Sequence, residues 1–355
     1  MATTFKTFLN NDIASTKTLL HEAIPLTGAL TSGTYGTWPN GDNIKNYAHG
    51  MFQSCYDYPY LSSSANHIFD LTVGYAASSP FSSSTSTQNA KKINLYNQMA
   101  QVLVGYDQTG SIKEFESSSY GHTRECVFIN FARLLGKDEI KKGSFSMQLG
   151  TGSFSTANNH LITIADTNAQ NDYRVNSPAG EYGILSMSVG AAPALTTPEC
   201  GYIYYQAGIV VLSGSVFTTS QDGGLLANPS AGTYADMTLS GDSFSGSLSG
   251  SAISGTCNGV RHRLYDASFN NTTELNSTIH FCRVNHNDFN YSSNPTYLSA
   301  SKLVVKNNTL DAPVSYATTV GLYSSDNELL AVAKLSEPLK KDPTNEMTIR
   351  VRLDY

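Results

Sequence analysis

Hydrophobic and polar residues alternate most regularly at the C-terminal end of the chain. Met347, Ile349, Val351, Leu353 and Tyr355 share one parity, and Thr348, Arg350, Arg352 and Asp354 share the other. Successive side chains of a strand point to opposite faces, so this pattern predicts a half-buried β-strand. Two further strand-like runs lie upstream, over residues 314–323 and 329–335. Ser324, Ser325, Asp326 and Asn327 separate them, and such side chains satisfy turn backbones. Pro338 and Pro343 bracket the next connection, where neither can donate to a ladder. Residues 313–355 therefore predict a three-stranded antiparallel meander.

The remaining chain predicts mixed elements first and short strands later. A helix is expected near the start, capped by Asp12 or Ser15, with Ile13, Leu19, Leu20 and Ala23 as a partial apolar stripe that Pro25 ends. Residues 28–43 form a Gly/Thr/Pro/Asn-rich loop holding the only tryptophan, Trp38. An exposed Trp there is an interface anchor, and one folded back belongs to its own core. Residues 66–75 predict a strand, and 76–88 a Ser/Thr-rich connection or an arm that orders on a partner. Residues 89–104 have helical spacing in Ile93, Tyr96, Met99, Ala100 and Leu103, with Gly105 as C-cap.

Residues 125–135 alternate and then run apolar, which suits a strand or a helix equally. Residues 137–143 predict a charged turn. Residues 144–149, 159–165, 182–189 and 201–217 predict strands between turn-rich loops, as in a sandwich or barrel. Residues 222–255, nearly all Ser, Gly, Ala and Thr, predict a loop insertion. Residues 256–269 predict a short helix with Val260 and Leu264 inward and Arg261 and Arg263 outward, and 278–284 a strand. The expected fold is mainly β with a few short helices. A mixed α/β domain over 1–143 would precede a β-rich, antiparallel sandwich- or barrel-like domain over 144–355.

Composition narrows the function classes. Charged residues are only 14% of the 355, against roughly 25% in average soluble proteins. A free monomer keeps a charged surface for solubility, so a weakly charged polar surface suits a chain covered by neighbours, or an extracellular-type β domain. Net charge is −6 and no Lys/Arg cluster exceeds a pair, which argues against direct nucleic-acid contact. Cys55, Cys126, Cys200, Cys257 and Cys282 are scattered, without the close spacing of a zinc site or disulfide framework. Reduced, mostly buried thiols are expected. Neither a leader peptide nor a membrane-spanning segment is expected, since no long apolar run occurs.

Catalytic motifs give no foothold. No GxSxG, HExxH or phosphate-cradling glycine loop is present. His280, Cys282 and His286 are the one cluster with metal-ligand character, with Asp288 as a fourth group. The plainer reading is a buried thiol and two histidines bonded to loop backbone. Asp138 and Glu139, flanked by lysines, read as a solvated turn without the burial that acid–base work requires. No cofactor, metal site or enzymatic activity is expected.

Three C-terminal segments carry a family likeness. They are Val320-Gly-Leu-Tyr, Leu329-Leu-Ala-Val-Ala-Lys-Leu-Ser-Glu-Pro-Leu-Lys-Lys and Arg350-Val-Arg-Leu-Asp-Tyr. With Asn285-His-Asn-Asp-Phe-Asn-Tyr-Ser-Ser-Asn-Pro-Thr-Tyr before them, this part resembles virion structural proteins of contractile-tailed phages of marine bacteria and cyanobacteria. The resemblance covers the rest of the chain only loosely. It implies a non-enzymatic virion component assembled in the host cytoplasm, in the tail or baseplate, with neck or capsid as other positions. Its partners would be copies of itself and other virion proteins, with neither nucleic acid nor membrane. A host-attachment module that stacks Tyr and Trp on glycans is the alternative. Trp38 and the apolar face of the last strand, Met347, Ile349, Val351, Leu353 and Tyr355, are the expected contact residues. An edge strand can add a partner's strand, and an inner strand of its own sheet would have the same pattern.

Overall fold

The computed structural model describes residues 5–26, 43–83, 88–117, 121–150, 161–189, 199–217, 252–292, 298–299, 302–303, 310 and 312–355. In chain order the strands begin with β1 (Ile13–Pro25), β2 (Ile44–Asn46), β3 (Gln53–Tyr56), β4 (His67–Tyr75), β5 (Phe115–Ser117), β6 (Gly121–Thr123) and β7 (Glu125–Phe131). Then come β8 (Glu139–Ile140), β9 (Ser146–Gly150), β10 (Leu161–Ala165), β11 (Tyr173–Ser177), β12 (Gly180–Val189), β13 (Glu199–Tyr204) and β14 (Ile209–Ser213). The last are β15 (Leu264–Val284), β16 (Leu298–Ser299), β17 (Lys302–Leu303), β18 (Ser315–Tyr323), β19 (Leu329–Lys341) and β20 (Met347–Asp354). Among the described residues the α-helices are α1 (Asn89–Leu103), α2 (Arg133–Gly136) and α3 (Ile253–Arg263). The fold is mainly β and largely antiparallel, with few short helices.

Two compact units divide the chain. One is Leu20–Thr273, and the other joins Met1–Leu19 to Glu274–Tyr355. This differs from the break expected at Gly143. The boundaries fall inside β1 and β15, strands long enough to belong to both units, and strand continuity leaves no linker for composition to reveal.

In the unit Leu20–Thr273, strand order runs β15-β9-β10-β12-β13-β14-β7-β4-β3-β2. Its central strands are covered on both faces. Phe69, Leu71 and Val73 of β4 lie opposite Phe131, Ile129 and Val127 of β7, in a cluster that takes in Ile253, Cys257 and Val260 of α3. Residues of the opposite parity, Cys126 and Phe128 with Tyr202, Tyr204 and Val211, pack with Tyr96, Ala100 and Leu103 of α1. A strand buried on both faces reads as an unbroken apolar run. That is why residues 125–135 are ambiguous in sequence; they form β7 followed by α2. Helix α1 crosses β4 at Gly74, where an added Cβ would lie 2.7 Å from the Lys92 carbonyl oxygen.

The unit made of Met1–Leu19 and Glu274–Tyr355 is built differently. β18 and β19 form a two-stranded ribbon. β20 pairs antiparallel with β15, Val351 opposite His280 and Ile349 opposite Cys282. The expected meander is thus corrected: its third strand leaves the hairpin and joins β15. The predicted alternation of β20 holds, with Val351 buried, Met347, Ile349 and Leu353 half-buried, and Thr348, Arg350, Arg352 and Asp354 exposed. Pro338 lies inside β19 rather than after it. Ala317 pairs with Leu339 and Thr319 with Lys334, so Pro338 sits in an irregularity where its missing N–H is not required.

Three further expectations are corrected. The first helix is instead a short 3-10 turn, Asn10–Asp12, followed by β1. Ile13, Thr16 and Thr18 are β-branched and favour extended backbone, and Asn271 of β15 accepts the Glu22 N–H. The helix expected over 256–269 runs earlier, as α3, and gives way to β15 at Leu264; Arg261, expected outside, is buried. The charged turn at 137–143 includes strand β8, which pairs with β15 through Ile140 and Asn271. Trp38 and most of the 222–255 insertion lie outside the described residues.

Candidate assembly surface

The smaller unit has little core of its own. Among the described residues, its buried apolar side chains are Val314, Leu322 and Val351, and neither large hydrophobic cluster includes any of its residues. A two-stranded ribbon alone is marginally stable in water. The β18–β19 ribbon buries Leu322 and half-buries Ala331 and Ala333 on one side. On the other side Leu330 is 68% and Val332 56% exposed, with Leu329 at 53% beside the Tyr323 ring. The run Leu329-Leu-Ala-Val-Ala is apolar on both faces, the pattern of a strand covered twice, yet here only one side is covered.

A groove of about 620 Å³ lies within this unit, in the range of small-molecule sites. Cys282 and Val284 of β15 with Met347 and Ile349 of β20 line it, facing β18. Consecutive β18 residues of both parities, such as Tyr316, Ala317, Thr319, Val320 and Gly321, reach it, as they do when a strand presents its edge. That edge has no strand partner among the described residues. β19 carries Lys334, Pro338 and Lys340, groups that protect an edge from pairing. β18 carries neither charge nor proline over its nine residues.

The extended segment 5–9 forms another wall. The Phe5 ring meets Tyr323 edge-on at 4.8 Å, and Phe8 lies 5.4 Å from the His280 ring. Lys6 pairs with Asp288, and that contact holds the Asp288 carboxyl below its ordinary value. The segment is anchored where Asp12 accepts the Leu9 N–H at 3.0 Å and pairs with Arg283 at 2.6 Å. Lys341 also lines the groove and is buried, yet its ammonium donates to the His286 carbonyl, Asn290 Oδ1 and the Asp342 carbonyl. Its three donors are matched, which is what a buried ammonium requires.

The expected contact residues separate. Met347 and Ile349 line the groove, Val351 is buried at 7% exposure, Leu353 is half-buried, and Tyr355 is exposed with its hydroxyl 3.0 Å from Thr278 Oγ1. β20 has β15 as its strand partner, so its other edge is open among the described residues. Phe5, Phe8, Leu330 and Val332 were not singled out by the alternation. The doubly apolar run of β19 was the available signal for two of them, while nothing local marks Phe5 and Phe8.

Other clusters have less chemical reach. His280 and Cys282 share a face of β15, but His286 turns to Glu346 at 3.3 Å, and no group of three potential metal ligands forms among the described residues. Ser54 donates to Asp70 at 2.5 Å, and His67 Nε2 lies 2.8 Å from the same carboxylate oxygen. Serine and histidine thus both face the carboxylate, unlike a triad, where the imidazole takes the serine proton. Burial pushes the Cys55 thiol up to about 12 and raises Cys126, Cys200 and Cys257 as well, which suppresses the nucleophilic thiolate.

A smaller cleft, about 230 Å³, lies in the unit Leu20–Thr273. Its floor is aromatic: Tyr182 stacks on Tyr204 at 5.1 Å and Phe115 on Tyr202 at 6.0 Å. Glu114, Glu116 and Arg174 stand at its rim. No helix among the described residues is long and apolar enough to cross a membrane. No protein family matches the chain, and neither does any curated protein or solved structure.

Proposed function

We propose that this chain is a structural component of a tailed-phage virion, in the tail or baseplate, whose work is assembly. The observation that carries the reading is the β18–β19 ribbon, with Leu329, Leu330 and Val332 outward over a unit that buries three apolar side chains among the described residues. Such a unit gains stability when neighbours cover it, because each buried apolar side chain is worth about 1.5–3 kcal/mol. The resemblance of segments 285–297 and 320–355 to virion proteins supports the same reading. Low charge fits a surface covered in the particle.

Gold-labelled antibodies against the purified chain, applied to intact phage particles under the electron microscope, test it. Label at the tail or baseplate is the expected result. Label absent from opened and intact particles alike, with the chain confined to the soluble lysate, overturns it.

A second reading, an attachment module for glycans, is favoured by the tyrosine-floored cleft with Arg174 and two glutamates at its rim. Of these rings Tyr182 is half-buried and offers a stacking face, and the charged side chains beside it can hydrogen-bond to sugar hydroxyls. A glycan array probed with wild type and Tyr182→Ala separates the readings: a glycan signal lost in the variant supports attachment, and a blank array removes it.

A further inference from the structure

We infer that the wall that Phe5–Leu9 forms in the groove beside β18 is exchanged with the same segment of a second copy, so that neighbouring copies are linked by exchanged segments. The inference rests on the assembly reading and names its partner.

The exchanged segment is identified by the contacts with which it already walls the groove. Phe5 and Phe8, three residues apart on an extended segment, meet Tyr323 and His280. Lys6, between them, meets Asp288. All three are side-chain contacts, and segment 5–9 has no strand assignment. Contacts of this kind belong to the residues and not to the covalent path, so the same segment from another copy makes them equally well.

Exchange of an identical element between copies is a low-cost route to association. The balance between own and neighbour's segment is then set by local concentration. Free in solution the segment closes on its own groove; packed against copies in a particle it can cross. Phe5 is 42% and Phe8 36% exposed in the closed form, and their release uncovers no residue of either large hydrophobic cluster. The groove's charge is complementary to this segment in particular: Lys6 is its one ionisable side chain, and Asp288 is the carboxylate it meets.

Charge reversal distinguishes exchange from closure. In Lys6→Glu the segment faces its own Asp288 with like charge, and in Asp288→Lys the segment's Lys6 faces a second ammonium. Only when the two variants are mixed, and a segment crosses between copies, does the carboxylate introduced at position 6 of one chain meet the ammonium introduced at position 288 of the other. The readout is a disulfide between Phe5→Cys on one copy and Tyr323→Cys on the other, in a Cys282→Ser background, with the linked peptide identified by mass spectrometry. Both positions lie at the surface, and although the substitutions remove the Phe5–Tyr323 contact, the Phe8–His280 contact seats the segment in every sample.

Wild-type charge should give the cross-copy link at high concentration. Each charge variant carried on both copies should lower its yield about two- to fivefold, as exposed ion pairs do. The complementary mixture should restore it. A link formed only within a doubly substituted chain, with none between copies, overturns the inference, and so does a yield indifferent to the charge pairing. Sedimentation of the same samples reports association separately. Copies that associate without the cross-copy link sink the exchange alone and leave the assembly reading standing.

Discussion

At the scale of single residues, two positions show how context sets the role of a side chain. His67 is half-buried, and its hydrogen bond to Asp70 raises its pKa above the ordinary 6.5 against the opposing effect of burial. The folded state then binds the proton more tightly than the unfolded one. The stabilisation is complete below about pH 6.5 and is lost as pH rises through the folded value. Urea unfolding of wild type and His67→Gln across this range should show a stability difference that shrinks toward alkaline pH; a constant difference would contradict it. Gly74 is required by close approach. An added Cβ would meet the backbone of α1 at 2.7 and 2.9 Å, so Gly74→Ala must push the helix off β4 and should cost about 1–3 kcal/mol. The midpoint of urea unfolding checks it. Neither role is legible in sequence: residues three apart on a regular strand point to opposite faces, so the His67–Asp70 pair is not expected, and α1 reaches Gly74 only through the fold.

Among elements, the clearest success and the clearest miss lie side by side. The parity of β20 was readable because one of its faces is covered and the other is not, which is the condition under which alternation survives. Its partner was not readable. Proximity in sequence favours β19, whereas the structure gives β20 to β15 through Val351 opposite His280. Val351→Asp should therefore remove amide-exchange protection from Ser277–Val284 of β15 as well as from β20, at a cost of at least about 2 kcal/mol. Protection lost from β19 in place of β15 would restore the meander. The same contrast explains the N-terminus. The stripe Ile13, Leu19, Leu20 and Ala23 fits a helix locally, but the ladder and side-chain bonds offered by β15 make it a strand. Helix α1, whose stripe is packed by its own unit, ran as expected and stopped at Gly105, where φ is +89°.

For the whole molecule, apolar surface is distributed unequally: two large clusters in Leu20–Thr273 and almost none in the unit holding the C-terminus. The double substitution Leu330→Asp, Val332→Asp removes exposed apolar surface without touching a buried group. It should lower concentration-dependent association in sedimentation while leaving the unfolding midpoint within about 0.5 kcal/mol of wild type. An unchanged association would take β19 out of the contact.

The strand character and inward parity of β20 and the mainly-β class were determined by sequence alone, because local backbone preference and two-residue periodicity are properties of neighbouring residues. The partner of β20, the division into units and the groove between Phe5, Phe8 and β18 were decided only by tertiary structure. These depend on which distant segments offer a complementary edge or face, and no window along the chain contains both halves of such a match.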